Sequence, residues 1–257
     1  MMVAENVRDF LAGLTVSLDP VERFRAAIGV PDPFQVEILR SDPANDPQDA
    51  MLCCVASRQI GKSTAIAALA WDDATRGKTV LIACPSLRQS TELLRRVVEF
   101  KNADPFAPKV VRQVQTEIET MNGGRIISIP ATDNARGMTC DTLILDEAAF
   151  HEDEAITALL PMRRSTGRTL MISTPNGRQG FFWEVFSEKK ARIIFARSVD
   201  SMRPDVLSKV EYDRRFMADF RFRQEHLCEF LSGNGTQLIS WDTLSRATDN
   251  TEKALVL

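Results

Sequence analysis

Two short clusters carry groups suited to handling a polyphosphate. Gly61, Lys62 and Ser63 lie in "ASRQIGKST" (56–64), and Asp146 and Glu147 end "LILDEA" roughly 85 residues later. Backbone N–H groups at a helix start point at an anion, and the helix dipole favours it. Gly61 lets the backbone approach closely. Lys62 brings charge to β- and γ-phosphates, and the Ser63 hydroxyl suits Mg²⁺. An aspartate after the three apolar residues Leu143, Ile144 and Leu145, at the end of a buried strand, is the acid that holds Mg²⁺ directly or through water. The adjacent Glu147 orients and deprotonates an attacking water. The chemistry implied is ATP hydrolysis, with Ser57, Arg58, Gln59, Ile60, Gly61, Lys62, Ser63 and Thr64 as the nucleotide-binding stretch.

The loop departs from G-x-x-x-x-G-K-[ST] in two ways: Ala56 stands at the first glycine position, and Arg58 lies inside the loop. A small residue at the strand end suffices if the loop takes a different path. A second cation beside the phosphates marks an active variant rather than a decayed site. The plainer reading of Arg58 is a solvated loop charge.

These residues need a scaffold. "AMLCCVA" (50–56), "TVLIACP" (79–85), "TLILDEAAF" (142–150), "TLMIST" (169–174) and "IIFARSV" (193–199) read as strands, and uninterrupted apolar runs suit strands buried on both faces. Helices are expected over 63–76, 87–102 and roughly 152–160. Asn122-Gly123, inside 116–131, signals a hairpin. "SLDPVERFRAAIG" (17–29) reads as a helix capped by Asp19, with Pro20 in its first turn, Glu22 three after the cap and Gly29 at its end. The alternation implies an α/β domain with a mostly parallel sheet flanked by helices. From about 204 the chain turns helical, charged and aromatic. The expected division is an ATPase core over 1–203, a small helical lid subdomain over 204–232 and a linker over 233–257.

The 257 residues are 44% hydrophobic with a net charge of −3, so no global basic surface announces nucleic acid. No apolar run reaches membrane length, and the acid-bearing N-terminus does not read as a secretory signal. Five cysteines without metal-ligand spacing read as reduced, mostly buried thiols in a cytosolic setting. Two histidines are too few for a histidine-built metal site.

Together the motifs resemble the large terminase subunit of tailed bacteriophages, the DNA-packaging ATPase. "SRQIGKST" is similar to that family's deviant Walker A, "LILDEAAF" to its Walker B and "ISTPNG" (172–177) to its coupling motif. "DPFQVEILRS" resembles its adenine-binding glutamine motif, and "FRQEHLCEFL" (222–231) the segment closing its ATPase region. The resemblance implies a P-loop NTPase of the additional-strand, catalytic-glutamate class. It implies that Arg58 senses the γ-phosphate in cis, that Gln35 reads adenine, and that Ser173, Thr174 and Pro175 couple hydrolysis to movement. It also implies that Arg136 reaches the neighbouring subunit's nucleotide. Implied partners are double-stranded DNA, the portal protein, the small terminase subunit and further copies in a ring, a pentamer on the portal, in the host cytoplasm at the procapsid. The family's RNase H-type nuclease domain would begin about where this sequence stops, so no DNA cleavage is expected from it.

Plainer readings stand beside these roles. Gln35 would be a helix-surface residue, Ser173 and Thr174 helix caps, and Arg136 the partner of a local carboxylate. Arginines in "MRRSTGR" (162–168) and "YDRRFMADFRFRQ" (212–224) offer phosphate contacts, or in the second run a solvated helix face. Two other functions remain open: a helicase-like ATPase, and a nucleotide-binding scaffold without turnover.

Overall fold

A computed structural model describes residues 18–131 and 137–231. Two helices lead in, α1 (Pro20–Ala27) and α2 (Pro33–Arg40), before strand β1 (Met51–Ala56). Helix α3 (Lys62–Thr75) and strand β2 (Thr79–Cys84) follow, then α4 (Leu87–Ala103) and the strands β3 (Val110–Val114), β4 (Glu117–Thr120) and β5 (Arg125–Pro130). Strand β6 (Cys140–Asp146), helix α5 (Asp153–Leu159), strand β7 (Arg163–Ser173), helix α6 (Gly180–Ser187) and strand β8 (Arg192–Ala196) complete the sheet region. Helices α7 (Pro204–Phe216) and α8 (Asp219–His226) close the described chain.

All eight strands form one sheet in the order β3-β4-β5-β2-β6-β7-β1-β8. The pairs from β5 to β8 are parallel, and only β3–β4 and β4–β5 are antiparallel. β7 therefore sits between β6 and β1, the inserted strand that defines the additional-strand class of P-loop fold. The uninterrupted runs are buried on both faces as expected. Leu52, Cys54 and Ala56 of β1 pack with α1 to α4 on one side. Cys53 and Val55 face the layer of α5 and α6 on the other, where Phe182, Val185 and Phe230 join them.

The hairpin forms where Asn122-Gly123 signals it, with Ile118 paired to Ile126 and Gly123 at φ +83°. Its second glycine is tied to packing, since a Cβ on Gly124 would lie 1.9 Å from the Ala74 carbonyl oxygen. Asp19 caps α1 by accepting the Val21 N–H, but Glu22 pairs with Arg25 instead of reaching back to the cap.

Three expectations need correction. β6 stops at Asp146, because Glu147 takes a left-handed backbone (φ 51°, ψ 45°) that ends the strand. β7 begins at Arg163, not Thr169, and absorbs "RRSTGR". Arg168 there is buried, donating to the Ser41 carbonyl and, at 2.6 Å, to Asp73. Arg164 pairs with Asp141 at 2.5 Å, and Arg163 donates to the Gly167 carbonyl. Each arginine of that run thus has a partner within the fold, while Arg164 is exposed. β3, an exposed strand at the sheet edge, was not expected at all.

The five cysteines are free and buried. Among the described residues, no helix is long and apolar enough to cross a membrane.

Candidate functional site

Because β1 and β6 are parallel to β7 between them, their carboxyl ends lie at one edge of the sheet, where α/β folds bind ligands. β1 leads into the 57–61 loop and β6 into Glu147.

The loop folds through two left-handed residues, Gln59 (φ 57°) and Gly61 (φ 99°), and Gly61 is the N-cap of α3. A side chain at position 61 would also displace a neighbour. A Cβ there would stand 2.9 Å from Nε2 of Gln35. Both ends of that carboxamide have a partner: its Oε1 accepts the Asp32 N–H at 2.8 Å, closing a capping box on α2, and its Nε2 donates to the Gly61 carbonyl at 3.1 Å. Gln35 is buried, so it is no helix-surface residue.

Lys62 is the buried cation of the loop. Its Nζ lies 3.5 Å from Glu147 Oε1 and 3.4 Å from the Ser57 carbonyl. Ser63, Asp146 and Glu147 line one cavity of about 470 Å³, together with Ser86, Gln89 and Arg88. Burial, then the neighbouring Glu147 carboxylate, pushes the Asp146 carboxyl up to about 7, against the pull of Lys62. The neutral His151 ring donates from Nε2 to the Asp146 carbonyl at 2.8 Å and fixes the strand end, while burial lowers the His151 pKa.

The segment after β7 faces the acids. Ser173 Oγ lies 3.3 Å from Glu147 Oε2 and 2.8 Å from the Thr174 carbonyl. Asn176 donates to the Ala149 carbonyl at 3.2 Å, tying this segment to the turn after β6. Ser173, Thr174 and Pro175 are buried. Ser173 caps no helix: α6 starts at Gly180, with Gln179 as its N-cap.

Other members of the loop point elsewhere. Ile60 enters the core, and Thr64 lines a separate cavity against α4. The Ser57 hydroxyl donates to the His226 carbonyl at 2.9 Å and accepts the Ser198 N–H at 2.9 Å. Arg58 reaches toward α8, its guanidinium 3.2 Å from the Glu225 carboxylate and its N–H 3.0 Å from the Glu225 carbonyl. Sequence reasoning gave Glu225, His226 and Ser198 no individual role, although the first two lie in the 222–231 segment it singled out. Arg136 lies outside the described residues.

The second arginine run is mixed. Phe222 is buried with Val206 and Val210 in a small core of α7 and α8, and Phe216 is 73% exposed. Arg214 stacks over the Phe222 ring at 5.0 Å, and Arg223 pairs with Glu229 at 2.6 Å.

Among the described residues there is no group of three or more His, Cys, Asp or Glu side chains suited to a metal. One hydroxyl and one carboxylate, Ser63 and Asp146, are hard oxygen donors of the kind that suit Mg²⁺ bound partly by substrate phosphates.

Similarity to known proteins follows the same lines. The solved ATPase domain of the Thermus phage P74-26 large terminase is 26% identical, with a TM-score of 0.66 over 83% of this chain and 100% of that one. The HK97 bacteriophage large terminase shares the fold at 15% identity and a TM-score of 0.65, over 83% of this chain and 55% of that one. The large terminase of a thermophilic bacteriophage, solved in complex with ADP, matches at 13% identity and a TM-score of 0.59, over 77% of this chain and 53% of its own. This chain therefore spans about half the length of the latter two. No curated protein sequence matches it. A family model described as "Terminase large subunit, T4likevirus-type, N-terminal" matches residues 53–244. The chain belongs to that terminase large-subunit family.

Proposed function

We propose that this chain hydrolyses ATP to drive double-stranded viral DNA into a procapsid, as the ATPase part of a packaging motor. The observation that carries the reading is the meeting of Lys62 and Glu147 at 3.5 Å beside Ser63 and Asp146. A general base and two metal-seeking oxygens from two distant sequence motifs line one pocket, and the Lys62 cation contacts that base.

In this reading the N–H groups at the start of α3 and the Lys62 ammonium bind the β- and γ-phosphates. Ser63 and Asp146 hold Mg²⁺, which, when bound, neutralises charge on those phosphates. Glu147 orients the attacking water and takes its proton. The water oxygen bonds to the γ-phosphorus as the bond to the β-phosphate oxygen breaks, and ADP departs with that electron pair. Arg58 senses the γ-phosphate in cis, Gln35 is assigned to adenine, and Ser173, Thr174 and Pro175 carry the change toward α6. Arg136 serves a neighbouring subunit's nucleotide.

Residues 204–232 are read as a lid subdomain and 233–257 as a linker. The partners proposed are DNA, the portal, the small subunit and further copies in a ring. Several copies add their DNA contacts, so a weakly charged protomer suffices.

The test is phosphate release from ATP and Mg²⁺ by the wild type and by Glu147→Ala. Turnover that survives the substitution overturns the catalytic assignment. Nucleotide binding without turnover, in the presence of DNA, favours the scaffold.

A further inference from the structure

A second cavity, of about 600 Å³, lies beside Arg58 and helix α8. Its lining is polar. Arg58, Gln89, Glu147 and Thr174 come from the core side, and Arg221 and Gln224 from α8. The two carboxylates in that lining already have cations. Glu225 holds Arg58 at 3.2 Å, and Glu147 lies 3.5 Å from Lys62. Arg221 is exposed and, among the described residues, has no ion pair or hydrogen bond. It is a cation lining a cavity whose other groups are the two paired carboxylates, Arg58, a hydroxyl, carboxamides and the apolar Pro85, Phe150 and Phe220.

Glu147 and Gln89 also line the smaller cavity that contains Ser63 and Asp146. The two cavities thus meet at the proposed catalytic base. The larger cavity, on the far side of Glu147 from Ser63, has Arg221 as its cation without an ion pair among the described residues.

We propose that this chamber is a binding site for inorganic phosphate, the second product of hydrolysis, with Arg221 as its anchoring cation. Phosphate is compact, tetrahedral and negatively charged, and a guanidinium presents paired donors that match two of its oxygens. Gln224, Gln89 and Thr174 supply neutral donors for the others. Arg58 does not duplicate Arg221, because Glu225 offsets its charge. The inference rests on the proposed ATP hydrolysis only for the origin of the phosphate.

The test is a calorimetric titration of inorganic phosphate onto the full chain saturated with ADP and Mg²⁺. The wild type is expected to bind phosphate. Arg221→Ala is expected to weaken that binding about tenfold or more, as loss of a charge-assisted contact implies. Arg221→Lys falls between them, and ADP affinity stays within about twofold throughout. Equal phosphate affinity in wild type and Arg221→Ala overturns the inference. So does a matching loss of ADP affinity, which would give Arg221 a general role in the fold or the nucleotide site. Because the titration reads binding and not turnover, a chain that binds phosphate through Arg221 but never hydrolyses ATP overturns the ATPase reading alone.

Discussion

The Ser57 hydroxyl and the His226 carbonyl, 169 residues apart in the chain, are joined by a hydrogen bond of 2.9 Å. The first residue of the phosphate loop is thereby fastened to the C-terminal helices. The same hydroxyl accepts the Ser198 N–H, and His226 continues the chain through Nδ1 to Ser198 Oγ and Nε2 to Asp213.

Ser57→Ala removes both bonds and leaves a buried N–H and a buried carbonyl without partners. The expected cost is about 1–3 kcal/mol. A lowered urea midpoint with an unchanged slope checks it. An unchanged midpoint would mean that the remaining ties, the Arg58–Glu225 contacts and the apolar packing, hold helix α8 without Ser57.

Glu147→Gln keeps the shape of the side chain and removes its basicity. Under the proposed function kcat falls roughly 10²–10⁴-fold, while ADP affinity changes little. Phosphate release and calorimetry read the two effects separately. Equal losses in both would recast Glu147 as a structural partner of Lys62.

Asp73 is buried against Arg168, Lys78 and Thr142. Burial alone would raise its carboxyl, but Arg168, then Lys78, and bonds from Arg168 and Thr142 together hold it below the usual carboxylate range. Asp73→Asn strands the buried Arg168 charge and is expected to cost about 3–5 kcal/mol near neutral pH. The folded pKa is depressed, so this stabilisation is present above the unfolded value of 3.8 and is lost as pH falls through the folded one. The gap between wild type and mutant should therefore narrow on acidification below that value. A gap that is flat with pH would show that Asp73 acts through shape alone.

The two hairpin glycines should respond differently to alanine. Gly123 has open space and only its positive φ to lose, about 1 kcal/mol. Gly124 would drive a Cβ to 1.9 Å from the Ala74 carbonyl, where rigid backbone must move, at about 3 kcal/mol. Melting temperatures of the two variants check the order, and a Gly123→Ala variant less stable than Gly124→Ala would contradict it.

Local pattern carried most of the scaffold into view. Strands β1, β2 and β6 show themselves as apolar runs, and Asn122-Gly123 names its own turn. The misses have two causes. The start of β7 is arginine-rich, because its one buried arginine is neutralised by Asp73, 95 residues away. β3 is exposed and has no apolar face to announce it. In the site, Lys62, Ser63, Asp146 and Glu147 were legible because their chemistry depends on a fixed local order. The grip of Gln35 on Gly61 and of Glu225 on Arg58 was not, since each spans elements that only the tertiary fold brings together.

The insertion of β7 also sets a distance. Neighbouring strands stand about 4.8 Å apart, so the carboxyl ends of β1 and β6 are held roughly 10 Å from each other. A glutamate one strand nearer would crowd against any group seated on the loop. At two strands, the long Lys62 side chain bridges the gap. What the extra strand provides is clearance: room for a reactant and a solvent molecule between a base and the loop it must act upon.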